Sequence, residues 1–227
     1  MVGIIVLVAA GLIVFYGPQV WARTVLSRFD RVEYFSGSGL DLARLLVERM
    51  DLTAVRVEET PLGDHYDPLA KTVRLNQTRG KRRSLTAVVI AAHEVGHAIQ
   101  HQARYKPLET RTRLIGTAAK MERVGAALMM GLPVIAAITR VPAAGALMLV
   151  AGLLTLCVPV LVHMLTLPTE FDASFRRAMP LLTSGEYIPP DDLPAAKTIL
   201  WACALTYVAA ALAGMVNVWR WIRVLRR

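Results

Sequence analysis

The sequence predicts a mainly α-helical membrane protein that has about four transmembrane helices and one α+β domain with a small sheet. Hydrophobic residues make up 55% of its 227 residues, and the mean hydropathy is +0.45. Soluble domains average about 45–50% apolar residues, so this composition favours a membrane protein. Four apolar runs approach the ~20 residues that cross a bilayer, and alternating stretches between the first two runs indicate the sheet.

The four runs predict the order of the membrane segments. Residues 1–22 are expected to be a transmembrane anchor, because no Lys or Arg precedes the run and no small-residue cleavage site follows it. Residues 124–168 are expected to form a transmembrane helical hairpin that turns at Thr139-Arg140. Residues 198–227 are expected to be a transmembrane or interfacial helix with a basic tail.

The segment 23–123 contains His93-Glu94-Val95-Gly96-His97, which has the H-E-x-x-H spacing. On a helix, residues i and i+4 share a face, so His93 and His97 can direct ring nitrogens at one Zn²⁺ while Glu94 acts as the general base. The alternative is a buried helix whose histidines satisfy local polar groups, which would be costly without a metal or a partner. The motif therefore predicts a zincin-like metallopeptidase domain with one Zn²⁺ per chain.

A catalytic zinc site normally has three protein ligands, so the motif needs a third. His101 is too far along the helix, because a rise of ~1.5 Å per residue separates it from His93 by about 12 Å. Glu170 directly follows an apolar run, and the segment 169–197 is expected to carry it as the third ligand. Asp172 could then hold a ligand histidine. A carboxylate that only interacts with a helix dipole is the alternative for Glu170.

A second polar cluster, Asp64 to Pro68, lies between two alternating stretches, 54–58 and 71–76. The alternation predicts a half-buried sheet. His65 or Tyr66 could donate a hydrogen bond to the oxyanion that forms during peptide hydrolysis, which makes His65 a candidate catalytic residue. A polar turn stabilised by Asx hydrogen bonds is an equally good interpretation of this cluster.

Charge and cysteine content bear on partners and location. The net charge is +9, but basic residues are interspersed with acidic ones and no nucleic-acid motif accompanies them, so we expect a lipid bilayer rather than a nucleic acid as partner. Cys157 and Cys203 lie in apolar runs, which indicates neither a disulfide nor a thiolate zinc site. The two crossings of the hairpin would place residues 17–123 and 169–197 on the same side of the membrane. The basic residues of these two segments favour the cytoplasmic side, whereas the basic C-terminal tail opposes this orientation.

Several motifs, in this order, carry a resemblance to a known family. They are Gly63-Asp-His-Tyr-Asp-Pro68, Ala92-His-Glu-Val-Gly-His-Ala-Ile-Gln-His-Gln102, Leu167-Pro-Thr-Glu-Phe-Asp-Ala-Ser174 and Ala204-Leu-Thr-Tyr-Val-Ala-Ala-Ala-Leu212. Over nearly the whole chain, the sequence resembles the bacterial YugP-type family of neutral zinc metallopeptidases in the plasma membrane. The resemblance implies His93 and His97 as zinc ligands, Glu94 as the catalytic carboxylate and Glu170 as the third ligand. It also favours a functional role for the segment around His65.

The leading hypothesis is a multi-pass, membrane-anchored zinc endopeptidase that cleaves protein or peptide substrates at the cytoplasmic face of the plasma membrane. Intramembrane proteolysis is a second hypothesis, but the apolar part of the motif helix, Ser84 to Ile99, is about 16 residues long and short of the ~20 that span a bilayer. A non-proteolytic scaffold with a structural zinc is the third, although such sites normally have four protein ligands. The sequence specifies neither a substrate sequence nor a membrane partner or oligomeric state.

Overall fold

The computed structural model describes residues 2–30, 36–139, 164–185 and 187–216, together with the single positions 143, 147, 150, 158, 161 and 162. The chain divides into two compact units. One comprises residues 1–17, 110–166 and 207–227, and the other comprises residues 18–109 and 167–206. Every candidate site residue lies in the second unit, which we call the site unit.

Helices form most of the described chain. They are α1 (Val2–Arg28), α2 (Gly39–Arg49), α3 (Gln77–Gly80), α4 (Leu85–Gln102), α5 (Lys106–Thr139), α6 (residues 164–171), α7 (Met179–Ser184) and α8 (Leu193–Val216). A π-helical turn, Asp172–Ala178, joins α6 to α7, and a 3₁₀ turn, Pro190–Asp192, precedes α8. Turns of the π type inside α-helices occur often at functional sites.

The sheet has three strands, β1 (Arg56–Thr60), β2 (His65–Asp67) and β3 (Thr72–Asn76), in the order β1-β3-β2. β1 runs parallel to β3, and β2 runs antiparallel to β3 with Tyr66 opposite Val73. The first alternating stretch overlaps β1, which ends two residues later at Thr60, the second contains β3, and the polar residues between them supply β2. β2 lies at one edge of the sheet.

The motif helix α4 is the centre of the site unit. Ser84 caps its N-terminus by accepting a hydrogen bond from the Ala87 amide at 3.2 Å, as expected for a serine before an apolar helix. Its apolar side chains are buried on all sides of the helix, because α2, the sheet and the π turn pack around it. A helix that is apolar all round is typical of a protein core.

Close packing between α4 and the π turn depends on Gly96. A Cβ at this position would lie 2.7 Å from the Ala173 carbonyl oxygen and 3.3 Å from the Arg177 Cβ. Real Cβ atoms do not approach backbone oxygens to 2.7 Å, so a larger residue would push the two segments apart. Gly96 therefore allows the π turn to lie directly against the two motif histidines.

The predicted fold class, a membrane protein with about four transmembrane helices, is wrong. Among the residues that the structure describes, no helix has both the length and the apolar character required to cross a membrane. One physical reason is that, in α8, apolar residues of the expected span pack inside the protein. The buried core of the site unit includes the α8 residues Ile199, Leu200, Ala202 and Cys203.

A second reason lies in α5, whose N-terminal half is charged. Its charged residues before the expected span are Lys106, Glu109, Arg111, Arg113, Lys120, Glu122 and Arg123. The second helix of the expected hairpin and the basic C-terminal tail fall mostly outside the described residues. The described residues do not show the four crossings on which the shared-side argument for residues 17–123 and 169–197 relied, so that argument is withdrawn.

Replacing Gly96 with Ala tests the close packing at this crossing. We expect Gly96→Ala to lower the free energy of unfolding by about 1–3 kcal/mol, because the added methyl group overpacks the contact with Ala173. Gly116→Ala is the matched control: it lies in α5 with no atom within 4 Å of the added Cβ. It should be neutral or stabilising by about 0.5–1 kcal/mol. Thermal and urea unfolding followed by circular dichroism measure both; equal midpoints for the two variants would contradict the packing argument.

Candidate metal centre

Three side chains from two segments meet in the core of the site unit. His93 and His97 come from α4, and Glu170 comes from the last turn of α6. Glu170 Oε2 lies 3.3 Å from the Nε2 of His93 and 3.3 Å from the Nε2 of His97. The candidate ligand atoms of these residues all lie within 4.8 Å of one another, and the exposed fractions are 3%, 3% and 0%.

These distances fit a tetrahedral zinc site. Ligand atoms at ~2.0–2.1 Å from a tetrahedral zinc are separated from each other by about 3.3–3.4 Å, the edge of that tetrahedron. The two nitrogen-to-oxygen distances of 3.3 Å equal that edge. Two imidazoles and one carboxylate are also a ligand set found in zinc hydrolases. His93, His97 and Glu170 are thus suited to hold one zinc ion.

Ser174, in the π turn, orients His93. Its hydroxyl donates to the Leu200 carbonyl at 3.3 Å and lies 3.1 Å from His93 Nδ1. A hydroxyl has one proton, so when Ser174 donates it to Leu200, its oxygen accepts from a protonated Nδ1 of His93. In the neutral ring, Nε2 then carries the lone pair that a metal requires.

The other predicted residues take different positions. Glu94 follows His93 on α4 and is buried. Asp172 does not contact a ligand histidine; its Oδ2 accepts from Gln100 Nε2 at 2.8 Å, and Gln100 Oε1 lies 2.9 Å from His97 Nδ1. The prediction that Asp172 holds a histidine is therefore replaced by an indirect link through Gln100.

His65 lies on β2 and is half-buried. Its Nδ1 is 2.8 Å from the Gly63 carbonyl oxygen, and it is not among the three residues whose ligand atoms converge. Because a carbonyl only accepts, Nδ1 is the donor, so Nε2 of the neutral ring has no proton to donate. Donation of a hydrogen bond from Nε2 to an oxyanion would thus require a protonated ring.

Tyr66, the neighbouring candidate, contacts the motif helix. Its hydroxyl lies 2.8 Å from Nδ1 of His101, one turn beyond His97. Burial, and then the negative charge of Asp67, raise the pKa of Tyr66 to about 12. The phenol therefore remains protonated at neutral pH. A cavity of about 350 Å³ opens here, with Tyr66, Ala98 and His101 in its lining.

Sequence reasoning missed Gln100 and Ser174. Gln100 lies three residues after His97, and side chains at this spacing are neighbours on a helix, so the sequence carried a usable signal. Ser174 is 81 residues from His93, and nothing in the local sequence pairs the two. Only the packing of the π turn on α4 brings them together.

Comparison with known proteins agrees with this centre. Residues 4–226 match the family model described as "Putative neutral zinc metallopeptidase". The chain belongs to this family. The resemblance seen in the motifs is thereby confirmed. The chain is also similar to a protein of Bacillus subtilis (strain 168), named "Putative membrane protease YugP", with 32% identity over 216 residues, or 92% of each chain. No solved structure matches.

Cys203 is buried beside this centre as a free thiol. Burial, and then the negative charges of Glu94 and Glu170, raise the pKa of the Cys203 thiol far above its ordinary value. A protonated thiol is a poor zinc ligand, because the thiolate is the form that binds metal. The sequence interpretation of Cys203 as a small apolar residue is consistent with this environment.

The three candidate ligand residues predict the spectrum of a cobalt-substituted protein. We expect Co²⁺ to give d–d bands of a nitrogen and oxygen site and no thiolate charge-transfer band, since Cys203 is not among the residues whose ligand atoms converge. The Cys203→Ala variant should give the same spectrum and the same metal stoichiometry. A charge-transfer band that disappears in Cys203→Ala would contradict this prediction.

Proposed function

We propose that this protein is a zinc-dependent endopeptidase that hydrolyses peptide bonds of protein or peptide substrates. One observation carries the proposal: the Nε2 atoms of His93 and His97 each lie 3.3 Å from Glu170 Oε2, the edge length of a tetrahedral zinc site, and Glu94, the residue after His93, is buried. In this proposal those three residues hold one Zn²⁺. Membership of a zinc metallopeptidase family supports the reaction class.

The chemistry follows from these roles. When bound, the zinc would lower the pKa of a water molecule towards about 7 and polarise the scissile carbonyl. Glu94 would accept the proton of that water at a carboxylate oxygen and deliver it to the amine nitrogen as the carbon–nitrogen bond breaks. Ser174 and Gln100 would hold the imidazoles of His93 and His97 with Nε2 directed at the metal.

The edge strand β2 is the proposed site of substrate binding. In the described part of the chain, β2 pairs with β3 alone, and in this proposal an extended peptide binds along its other edge. β2 also packs on α4, and its Tyr66 hydroxyl bonds to His101 of that helix. A peptide added along β2 would therefore run beside the motif helix. Tyr66, or a protonated His65, is the proposed donor to the oxyanion.

A structural zinc in a non-proteolytic scaffold is the competing function. Structural zinc sites normally have four protein ligands, whereas the candidate group among the described residues has three. A fourth position without a protein ligand is what a hydrolytic site needs for water.

The name of the Bacillus subtilis relative includes the word membrane, and we extend that location to this chain as part of the proposal. Fractionation of cells that express the tagged chain tests it.

The roles of the two glutamates separate in a pair of variants. We expect Glu94→Gln to retain about one zinc per chain, because Glu94 is not a ligand, while chelator-sensitive cleavage of unfolded casein falls by about 10²–10⁴-fold. Glu48→Gln on the exposed surface of α2 makes the same change of charge and should cleave casein as the parent does. Undiminished cleavage by Glu94→Gln would overturn the assignment of the general base.

Removal of the third ligand tests the metal site itself. Glu170→Ala should lose most of its bound zinc and its activity together, because two histidines alone bind zinc weakly. Zinc content by mass spectrometry of the dialysed protein and casein cleavage provide the readouts. An active, zinc-loaded Glu170→Ala would show that another residue is the third ligand. Zinc without cleavage of any unfolded substrate in the parent would favour the scaffold.

A further inference from the structure

We infer that Gln100 is a positioning residue that links two of the three candidate zinc ligands, by setting the tautomer of His97 and by holding the backbone next to Glu170. The inference deepens the proposed function and rests on it for the identity of the ligands. Gln100 is fully buried, and its side chain makes three hydrogen bonds, all inside the site unit. A buried amide is held in one orientation when both its oxygen and its NH₂ group have hydrogen-bond partners.

The contacts of Gln100 determine which way its amide faces. Its Nε2 lies 2.8 Å from the Thr169 carbonyl oxygen and 2.8 Å from Asp172 Oδ2. A carbonyl oxygen cannot donate, so the atom that faces Thr169 must be the NH₂ group. Oε1 is therefore the atom 2.9 Å from His97 Nδ1, and it accepts from a protonated Nδ1. In the neutral ring, His97 Nε2 then has a free lone pair 3.3 Å from Glu170 Oε2.

The same amide also holds the segment that delivers the third ligand. Thr169 and Asp172, which accept its two N–H groups, lie on either side of Glu170 in the chain. Asp172 is held in turn by Arg177, whose Nε lies 3.2 Å from the same Oδ2 atom. These two residues are five apart, the spacing that a π turn brings into register. Gln100 thus joins α4 to both ends of the Glu170 segment.

This geometry requires an amide at position 100. A carboxylate there would place an acceptor oxygen against the Thr169 carbonyl and a second negative charge 2.8 Å from Asp172. An apolar side chain of the same length would leave the Thr169 carbonyl and His97 Nδ1 without this partner. Glutamine alone has the length, two N–H donors and one acceptor in the required positions.

The first test needs no metal. We expect the ¹⁵N spectrum of the metal-free full-length chain, at a pH where the ring is neutral, to show His97 as the Nδ1–H tautomer. A His97→Asn variant assigns the signal among the five histidines of the chain. A parent His97 in the Nε2–H form would overturn the inference. This readout remains valid even if the chain binds no zinc, so it separates failure of the inference from failure of the proposed function.

The second test measures zinc affinity by competition with a chromophoric chelator. Gln100→Met, which keeps the length and removes the hydrogen bonds, should weaken zinc binding by about 10–100-fold and allow both His97 tautomers. Gln102→Met is the matched control, because Gln102 is exposed and its amide donates to the Asp51 carbonyl at 3.3 Å, away from the ligand residues. This variant should bind zinc as the parent does. Unchanged zinc affinity in a folded Gln100→Met would overturn the positioning role.

Exchanging the amide of Gln100 and the carboxylate of Asp172 tests whether the link between these two side chains, and not a general loss of structure, determines the zinc affinity. Gln100→Glu alone should weaken zinc binding, because the introduced carboxylate is repelled by Asp172. Adding Asp172→Asn restores an N–H donor to the pair while the introduced carboxylate can still accept from His97, so the double variant should recover part of the lost affinity. Failure of Asp172→Asn to improve zinc binding of the Gln100→Glu protein would count against a direct link between the two side chains.

Discussion

The close crossing of α4 and the π turn at Gly96 is the contact on which the candidate site depends. Because Gly96 has no side chain, the Ala173 carbonyl approaches to within 2.7 Å of the position that a Cβ would occupy. The residues on either side of that point on the π-turn segment, Glu170 and Ser174, then reach the two motif histidines. In His-Glu-Val-Gly-His, the glycine is thus required for packing, and it lies between the two histidines that are candidate metal ligands.

The π turn concentrates the polar interactions of the site in one short segment. It directly follows the α6 turn that carries Glu170. It contains Ser174, which contacts His93, and Asp172, which accepts from both Gln100 and Arg177. Burying a carboxylate as deeply as Glu170 costs several kcal/mol unless charge and hydrogen bonds offset it. Two imidazoles directed at its Oε2 atom, with their own Nδ1 atoms held by buried partners, create an environment in which a divalent cation offsets that cost.

Hydropathy gave a misleading account of where the apolar residues go. The runs that contain α4 and the first half of α8 supply the core around the candidate metal centre, and most of their apolar side chains are buried by protein. A sequence window measures apolar content and cannot distinguish burial by protein from burial by lipid. For this reason the expectation of a spanning helix failed at α8. In α5, the charged residues of the N-terminal half shorten the uncharged stretch of the helix.

By itself, the sequence placed both candidate histidine ligands on one face of α4. The spacing of His93, Glu94 and His97 follows from the helical period, which is a local property, and the N-cap at Ser84 is local as well. Glu170 could be named from its place after an apolar run and from family resemblance. Its distance to the histidines, however, and the links through Gln100 and Ser174 were decided by tertiary structure. These contacts join residues 69 to 81 positions apart, and their register is set by how closely two helical segments can pack.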